Sequence, residues 1–220
     1  MSKKGQSSSY YPVFLDIDGK RCVVIGGGAV ALRKVNTLLE NGAKVEVISP
    51  ELCPELAANR KISISRRAYQ PGDLTGAFLA IVATDNSETN HQIALESRSR
   101  GVLVNVVDDA EYSDFILPSL VQRGDITIAV STAGKSPALA RKLRTRLEKE
   151  FGEEYAVLLQ IIEEIRSEIK RRGLSIDSET WQDALDLDLL AGLIEKGQTE
   201  KAREIITQNL LKQHNEVRQV

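Results

Sequence analysis

Short runs of β-branched and apolar residues alternate with amphipathic segments over the first half of the chain. Such runs predict strands over residues 21–25, 44–48, 62–65, 78–83 and 102–107. Between them, apolar positions at helical spacing predict helices over 29–40 and 87–100. The run at 78–83 is apolar throughout, which is typical of a strand covered on both faces. Strands that alternate with helices indicate an α/β fold class with a doubly wound parallel sheet.

The pattern changes in the second half. Residues 115–117 and 125–130 predict further strands, and Pro118 interrupts them. Ser136-Pro137 predicts the start of a helix, because Ser is a good N-cap and Pro suits the first helical position. From residue 153 onward the apolar spacing is helical, with breaks at Gly173 and Gly197. We therefore predict three parts: a nucleotide-binding domain (1–113), a small β/α segment (114–150) and a helical C-terminal domain (151–220).

Composition excludes several classes of protein. The 220 residues carry 29 Lys+Arg and 31 Asp+Glu, a net charge of −2, which argues against a nucleic-acid partner. No apolar run approaches the roughly 20 residues of a membrane helix, and the N-terminus lacks the apolar stretch of a secretory signal. Two cysteines, Cys22 and Cys53, make no disulfide framework. We therefore expect a cytoplasmic protein with no membrane or nucleic-acid partner.

A glycine-rich turn follows the first predicted strand. Residues 26–31, Gly-Gly-Gly-Ala-Val-Ala, fit the pattern G-x-G-x-x-A between a strand and a helix, which is the context that the motif requires. Gly26 permits the tight turn, Gly28 lets the backbone approach a pyrophosphate, and Ala31 allows close helix–strand packing. The helix N-terminus would then face the phosphates. The turn predicts dinucleotide binding in a Rossmann-like domain; the alternative is a glycine-rich turn without a ligand.

The end of the second predicted strand bears on the choice of cofactor. Many NAD-binding folds place an acidic residue there for the ribose hydroxyls. Here the strand ends Ile48-Ser49-Pro50-Glu51, and Glu46 lies within the strand, where we expect it to point elsewhere. Ser49 offers a hydroxyl to a ribose, and no Arg between 45 and 56 offers a site for a 2′-phosphate. The sequence favours NAD over NADP.

Polar residues also follow the fourth and fifth predicted strands. Thr84 and Asp85 follow the fourth, and Asn105, Asp108 and Asp109 lie at the end of the fifth. Open α/β sheets bind ligands at the carboxyl ends of their strands, so these are candidate site residues. The alternative is ordinary helix capping, and for Asp109 we favour a cap or a solvated charge.

Six segments between residues 11 and 150 combine into a more specific pattern. They are YPVFL (11–15), VIGGGAVALRK (24–34), ATD (83–85), NVVD (105–108), FILPS (115–119) and AVSTAGKSPALA (129–140). Together they resemble the precorrin-2 dehydrogenases, a family that includes the N-terminal part of siroheme synthase. The resemblance implies NAD-dependent oxidation of precorrin-2 to sirohydrochlorin in siroheme biosynthesis; some relatives also insert Fe²⁺.

The resemblance also implies roles for particular residues. Asp108 matches the family's catalytic aspartate, and it is a candidate transient ligand of Fe²⁺. The family's homodimer contact falls on the segment 114–150. The glycine turn and Thr84 belong to the implied cofactor site, and further cofactor contacts fall on four matching positions: Ala29, Val30, Pro50 and Glu51.

A basic segment suits the substrate that the resemblance implies. Residues 131–150 carry six Lys and Arg against two Glu, a balance of +4 in a chain of −2. Precorrin-2 bears acetate and propionate groups, which need cations and N–H donors, and the helix start near residue 136 is a further anion site. The alternative is a solvated helix face, and the sequence leaves both open. The candidate substrate contacts are Asn105, Ser131, Thr132, Lys135 and Ser136.

No spacing of His and Cys predicts a permanent metal site, and we expect His91 to be a helix surface residue. The leading hypothesis is an NAD-dependent precorrin-2 dehydrogenase. Two alternatives stay open: a bifunctional enzyme that also inserts Fe²⁺ into sirohydrochlorin, and a regulatory domain that senses NAD without catalysis. A sensor needs the glycine turn but not Asp108 or an anion-binding turn at 135–137, so the enzyme is favoured.

Overall fold

The computed structural model describes residues 10–217, with side chains described as far as residue 212. The chain divides into two compact units, one ending at Leu117 and the other beginning at Pro118, and each is described by itself. The division into three functional parts stays a prediction.

Unit 1 is built on a parallel sheet of five strands in the order β3-β2-β1-β4-β5. The order reverses between β1 and β4, which is the switch point where sheets of this kind bind ligands. The predicted doubly wound sheet is confirmed. Its elements are β1 (Arg21–Ile25), α1 (Ala29–Glu40), β2 (Lys44–Ile48), α2 (Pro54–Ala58), β3 (Ser63–Ser65), β4 (Leu79–Val82), α3 (Ser87–Ser99) and β5 (Leu103–Val106).

Apolar side chains on both faces of this sheet form two cores. Val24, Val47 and Ile81 pack on one face with α1 and α2, where Val35 and Leu56 are fully buried. The other face packs against α3, with Val23, Val82 and Ile93 in the core. Burial on both faces explains why the central strands β1 and β4 are apolar apart from Arg21 at the start of β1. The sheet is therefore a rigid platform whose carboxyl edge presents the connecting loops.

Unit 2 pairs a two-stranded antiparallel sheet with helices. Ser136 caps α4 as predicted, since its Oγ accepts a hydrogen bond from Leu139 N at 3.2 Å. Leu158, Ile165 and Ile206 lie in the core that the later helices share. The elements are β6 (Ser119–Arg123), β7 (Ile126–Val130), α4 (Pro137–Glu150), α5 (Glu154–Arg171), α6 (Ser178–Asp183), α7 (Leu187–Glu195) and α8 (Thr199–Val217).

One local prediction is wrong, and one short helix was not predicted. The strand predicted at 115–117 is wrong, because that segment has no regular structure and the strand begins after Pro118, at Ser119. Pro lacks an N–H donor and restricts the residue before it, so the apolar run ends there without entering a ladder. Helix α2 was not predicted; it is five residues long and begins with Pro54 at its first turn.

Candidate active site

The glycine turn joins β1 to α1 at the switch point of the sheet. Gly26 has a φ of +124°, and a Cβ there would lie 2.3 Å from the carbonyl oxygen of Ala83, which follows β4. Its N–H donates to Ile48 O at 3.0 Å. Only glycine fits both this backbone conformation and this close approach. The turn is therefore packed tightly between the ends of β2 and β4.

Gly27 has a role that the sequence analysis missed. A Cβ at this position would lie 1.9 Å from Glu51 O and 2.9 Å from Ser49 Oγ. The Gly27 carbonyl also accepts a hydrogen bond from Cys53 N at 2.8 Å. Gly27 thus fixes the glycine turn against the loop after β2. The middle position of the motif carries no sequence requirement, so only the tertiary contact shows this.

Gly28 faces open space. A Cβ there would meet no atom within 4 Å, and no side chain of the described residues caps α1. The first helical hydrogen bond runs from Leu32 N to Gly28 O at 3.0 Å, so the N–H groups of residues 29–31 point forward from the helix. Ala31 is fully buried against the sheet. An uncapped helix start with open space in front of Gly28 fits the pyrophosphate of a dinucleotide.

The loop after β2 lies beside the glycine turn. Ser49 is buried, and its hydroxyl donates to Glu51 O at 2.6 Å, so this donor shapes the loop. Pro50 and Glu51 are exposed. Glu46 forms an ion pair with Arg21 at 2.7 Å and accepts a hydrogen bond from Ser65 Oγ at 3.3 Å. The loop thus presents no cation next to the turn.

Thr84 and its neighbours organise the end of β4. The Thr84 hydroxyl lies 2.5 Å from Asn90 Oδ1, and the Asn90 amide donates back to Thr84 O at 3.0 Å. Asn86 caps α3 through Thr89 N at 2.9 Å. Asp85 is exposed. These bonds hold the β4–α3 connection across from the glycine turn.

Asp108 follows β5 at the same edge. Val107 N donates to Val82 O at 2.9 Å, which ties the start of this turn to the end of β4. Asp108 is exposed and has a φ of +60°. Burial and the charge of Arg33 lower the pKa of the Lys34 ammonium on α1, while Asp108 acts on that pKa in the opposite direction. Lys34 is therefore an electrostatic neighbour of Asp108 that the sequence analysis did not assign.

Asn105 lies within β5 and is buried. Its side-chain amide donates to Phe115 O at 2.9 Å, which secures the segment that leaves unit 1.

His91 lies on α3 with its side chain 36% exposed, stacked on Tyr112 with ring centroids 3.7 Å apart. Asp109 Oδ1 accepts from the N–H groups of Glu111 and Tyr112, at 3.1 and 3.2 Å, so Asp109 shapes a turn. The expectation that it caps a helix is wrong, because no helix begins there.

The remaining candidates share one turn of unit 2, between β7 and α4. The Thr132 hydroxyl donates to Ser136 O at 3.0 Å and accepts from Ser136 N at 3.1 Å. Ser131 Oγ accepts from Ala133 N at 3.0 Å, and Lys135 is exposed. The sequence-predicted residues thus form two groups: one at the carboxyl edge of the sheet in unit 1, and one at this turn in unit 2.

Beyond that turn, one exposed face of α4 is rich in basic residues. Arg144 is not part of this face, because it pairs with Glu148 one helical turn away. The face is formed by Ala138, Arg141, Lys142, Thr145, Arg146 and Lys149. Four cations and no carboxylate line this surface, which suits an anionic ligand.

Among residues 10–217, no helix is both long enough and apolar enough to cross a bilayer. Within the same range, no three His, Cys, Asp or Glu side chains are grouped closely enough to hold a metal ion.

Comparison with known proteins decides the family. Residues 13–119 match the family described as "Putative NAD(P)-binding", and residues 123–150 match "Sirohaem biosynthesis protein central". Siroheme synthase 2 of Aeromonas hydrophila is 39% identical over 96% of this chain. Siroheme synthase of Nitrosococcus oceani is 41% identical over 88% of it. The predicted resemblance to the siroheme synthase family is thus confirmed.

A solved structure extends the match to the whole fold. The precorrin-2 dehydrogenase SirC superimposes with a TM-score of 0.70 and 26% identity, over 91% of this chain and 98% of SirC. By contrast, the chain spans 46% and 42% of the two siroheme synthases. Unit 1 is thus an NAD(P)-binding domain in a family named for siroheme biosynthesis.

Proposed function

We propose that the chain catalyses the NAD-dependent oxidation of precorrin-2 to sirohydrochlorin. The observation that carries the proposal is the uncapped start of α1 behind the open position of Gly28, with Asp108 at the same edge of the sheet. The match to SirC over nearly its whole length supports the choice of substrate.

The cofactor would be held by the chain's backbone. The N–H groups of Ala29, Val30 and Ala31 would bind the pyrophosphate, and Gly28 would keep the space in front of them clear. The loop at 49–51 would line the adjacent ribose. A bound nicotinamide supplies the hydride acceptor. Glu51 beside an arginine-free loop would repel a 2′-phosphate, so NAD is preferred to NADP.

Oxidation to sirohydrochlorin transfers a hydride from precorrin-2 to NAD⁺, which gives NADH, and releases a proton from precorrin-2. We assign the proton to the carboxylate of Asp108, which is exposed and accepts no hydrogen bond among the described residues. A free carboxylate is a competent general base when it reaches the proton to be transferred.

The acidic side chains of the substrate would need cations. The four basic side chains on the exposed face of α4 and the exposed Lys135 would supply them, and Asn105, Ser131, Thr132 and Ser136 remain candidate polar contacts. The predicted homodimer draws support from apolar side chains exposed on β6 and α4: Leu120, Leu139 and Leu143. Partner contact through this surface, and the cytoplasmic location, stay predictions.

Anaerobic turnover of precorrin-2 with NAD, followed at visible wavelengths, tests the proposal. We expect a sirohydrochlorin spectrum that requires NAD and forms far more slowly with NADP. The variant Asp108→Asn should lose at least about a hundredfold in kcat, as loss of a general base does, with the affinity for NAD unchanged. NAD binding without any oxidation would refute the proposal and favour a sensor. Fe²⁺ added afterwards, with an enzyme-free control, tests insertion of iron.

A further inference from the structure

The turn that carries Asp108 is held in place by its neighbours. Asp108 adopts a φ of +60°, in the left-handed region that residues with a side chain enter only where surrounding structure holds them. Among the described residues, the Asp108 carboxylate makes no hydrogen bond and no salt bridge of its own. Other groups must therefore maintain the backbone conformation that aims it.

Ser113 is the first of these groups. It is 3% exposed, and its Oγ accepts a hydrogen bond from Val106 N at 2.9 Å. The same hydroxyl lies 2.6 Å from Asp109 O, to which it donates. One hydroxyl thus links the last residue of β5 to the residue that follows Asp108. The two ends of the turn are fixed to the same oxygen atom.

Asp109 is the second group. Its Oδ1 accepts hydrogen bonds from Glu111 N and Tyr112 N, and its Oδ2 lies 3.3 Å from His91 Nε2 on α3. The ring of Tyr112 stacks on the ring of the same His91. Asp109 N also donates to Val106 O at 3.2 Å. The far side of the turn is thereby connected to α3.

We propose that Ser113 and Asp109 are positioning residues for Asp108: together they hold its turn in the left-handed conformation that aims the free carboxylate. The inference rests on the proposed function, in which Asp108 accepts a proton. Release of the turn toward extended backbone would redirect the carboxylate, and misplacement of a reacting group by about 1 Å can cost about a hundredfold in rate.

The first test compares two buried serines of unit 1. Ser113→Ala removes the link across the turn, whereas Ser97→Ala removes a fully buried hydroxyl on α3 that donates to Ile93 O at 2.8 Å, away from the turn. Ser113→Ala should lower kcat at least about tenfold while KM for NAD changes less than about threefold, and Ser97→Ala should leave kcat near normal. Equal kcat values for the two variants would overturn the proposal.

The second test uses the more exposed Asp109. It tests the positioning role even if Ser113→Ala fails to fold. Asp109→Asn keeps an oxygen acceptor for Glu111 and Tyr112, and Asp109→Ala does not. We expect the Asn variant to keep most of the turnover and the Ala variant to lose at least about tenfold in kcat. Similar losses in both variants would indicate that the charge of Asp109 acts directly, and would refute the positioning role.

The Asp108→Asn background separates this inference from the proposed function. There, Ser113→Ala should reduce the residual rate by less than about twofold, because the residue it positions is already disabled. Equal fold losses in both backgrounds would show that Ser113 acts independently of Asp108 and would overturn the inference alone. Normal turnover of Asp108→Asn by itself would refute the proton acceptor and the positioning role with it.

Discussion

Replacement of Gly28 by Asp separates the cofactor site from the stability of the fold. Gly28 is the N-cap of α1, with φ −85° and ψ −173°, an extended conformation that any residue adopts. An added Cβ would meet no atom within 4 Å. Asp is among the best N-cap residues, so the variant should fold as well as the parent chain or gain a few tenths of a kcal/mol from capping and the helix dipole.

The affinity for NAD, in contrast, should fall. A carboxylate at residue 28 would lie where the pyrophosphate approaches the helix. Two unit charges 4 Å apart repel by about 4 kcal/mol at an effective dielectric constant of about 20. If solvent and salt screen half of one such interaction, about 2 kcal/mol remains, which corresponds to a loss of about thirtyfold in affinity.

The matched control is Gly28→Asn, which has nearly the same size and capping ability but no charge. Titration of both variants with NAD, followed by calorimetry or by quenching of intrinsic fluorescence, gives the two dissociation constants. Thermal unfolding of the free proteins gives their stabilities. We expect both to unfold at or above the parent temperature, and the Asp variant to bind at least about thirtyfold more weakly than the Asn variant, with a gap that narrows at high salt.

Equal affinities of the Asp and Asn variants would refute the reasoning, because they would show that no anion lies near residue 28. A lower unfolding temperature of both variants would contradict the open space around Gly28 instead.

Two further predictions concern stability. Gly27→Ala should destabilise the protein by about 1–3 kcal/mol, because the new Cβ would overlap the carbonyl oxygen 1.9 Å away in the loop after β2; equal denaturation midpoints for Gly27→Ala and Gly28→Ala would count against this. Asp73 accepts two hydrogen bonds from Arg67, at 2.7 and 2.8 Å, which hold the pKa of Asp73 below its ordinary value of 3.8. A lowered pKa stabilises the fold at pH values above 3.8, and this stabilisation is lost as the pH falls through the folded-state pKa. Asp73→Asn should therefore cost about 1–3 kcal/mol at pH 7 and less at pH 3, measured by urea unfolding, and a cost that does not change with pH would contradict the ion-pair explanation.

The central strands could be predicted because burial on both faces leaves a continuous apolar signal. Strand β4 was predicted as 78–83 and observed as Leu79–Val82. Strand β6 was not predicted, because Ser119–Arg123 has only one buried residue, Val121. The apolar run before Pro118 is the stronger strand signal in this region. Short, half-exposed strands depend on a partner for their definition, and the partner is not visible in the segment itself.

The site divides along the same line. Gly26 and the capped start of α4 carry local signals, since their backbone conformations favour particular residue types. Asp108 was found by its place after a predicted strand and by the family resemblance. Gly27 against Glu51, and Lys34 near Asp108, depend on contacts between segments far apart in the chain. Contacts of this kind leave no periodicity or spacing to detect.

The absence of any hydrogen bond or salt bridge at the Asp108 carboxylate, within the described residues, has a consequence for how the protein can change over time. Selection removes substitutions that take a protein below its stability threshold, and this carboxylate makes no hydrogen bond or salt bridge whose loss would destabilise the chain. A chain altered at Asp108 to Asn, which also tolerates the left-handed conformation, would persist in the cell at normal abundance. The position could thus exchange one chemistry for another without a compensating change elsewhere, so that the reaction could diverge while the scaffold stays the same.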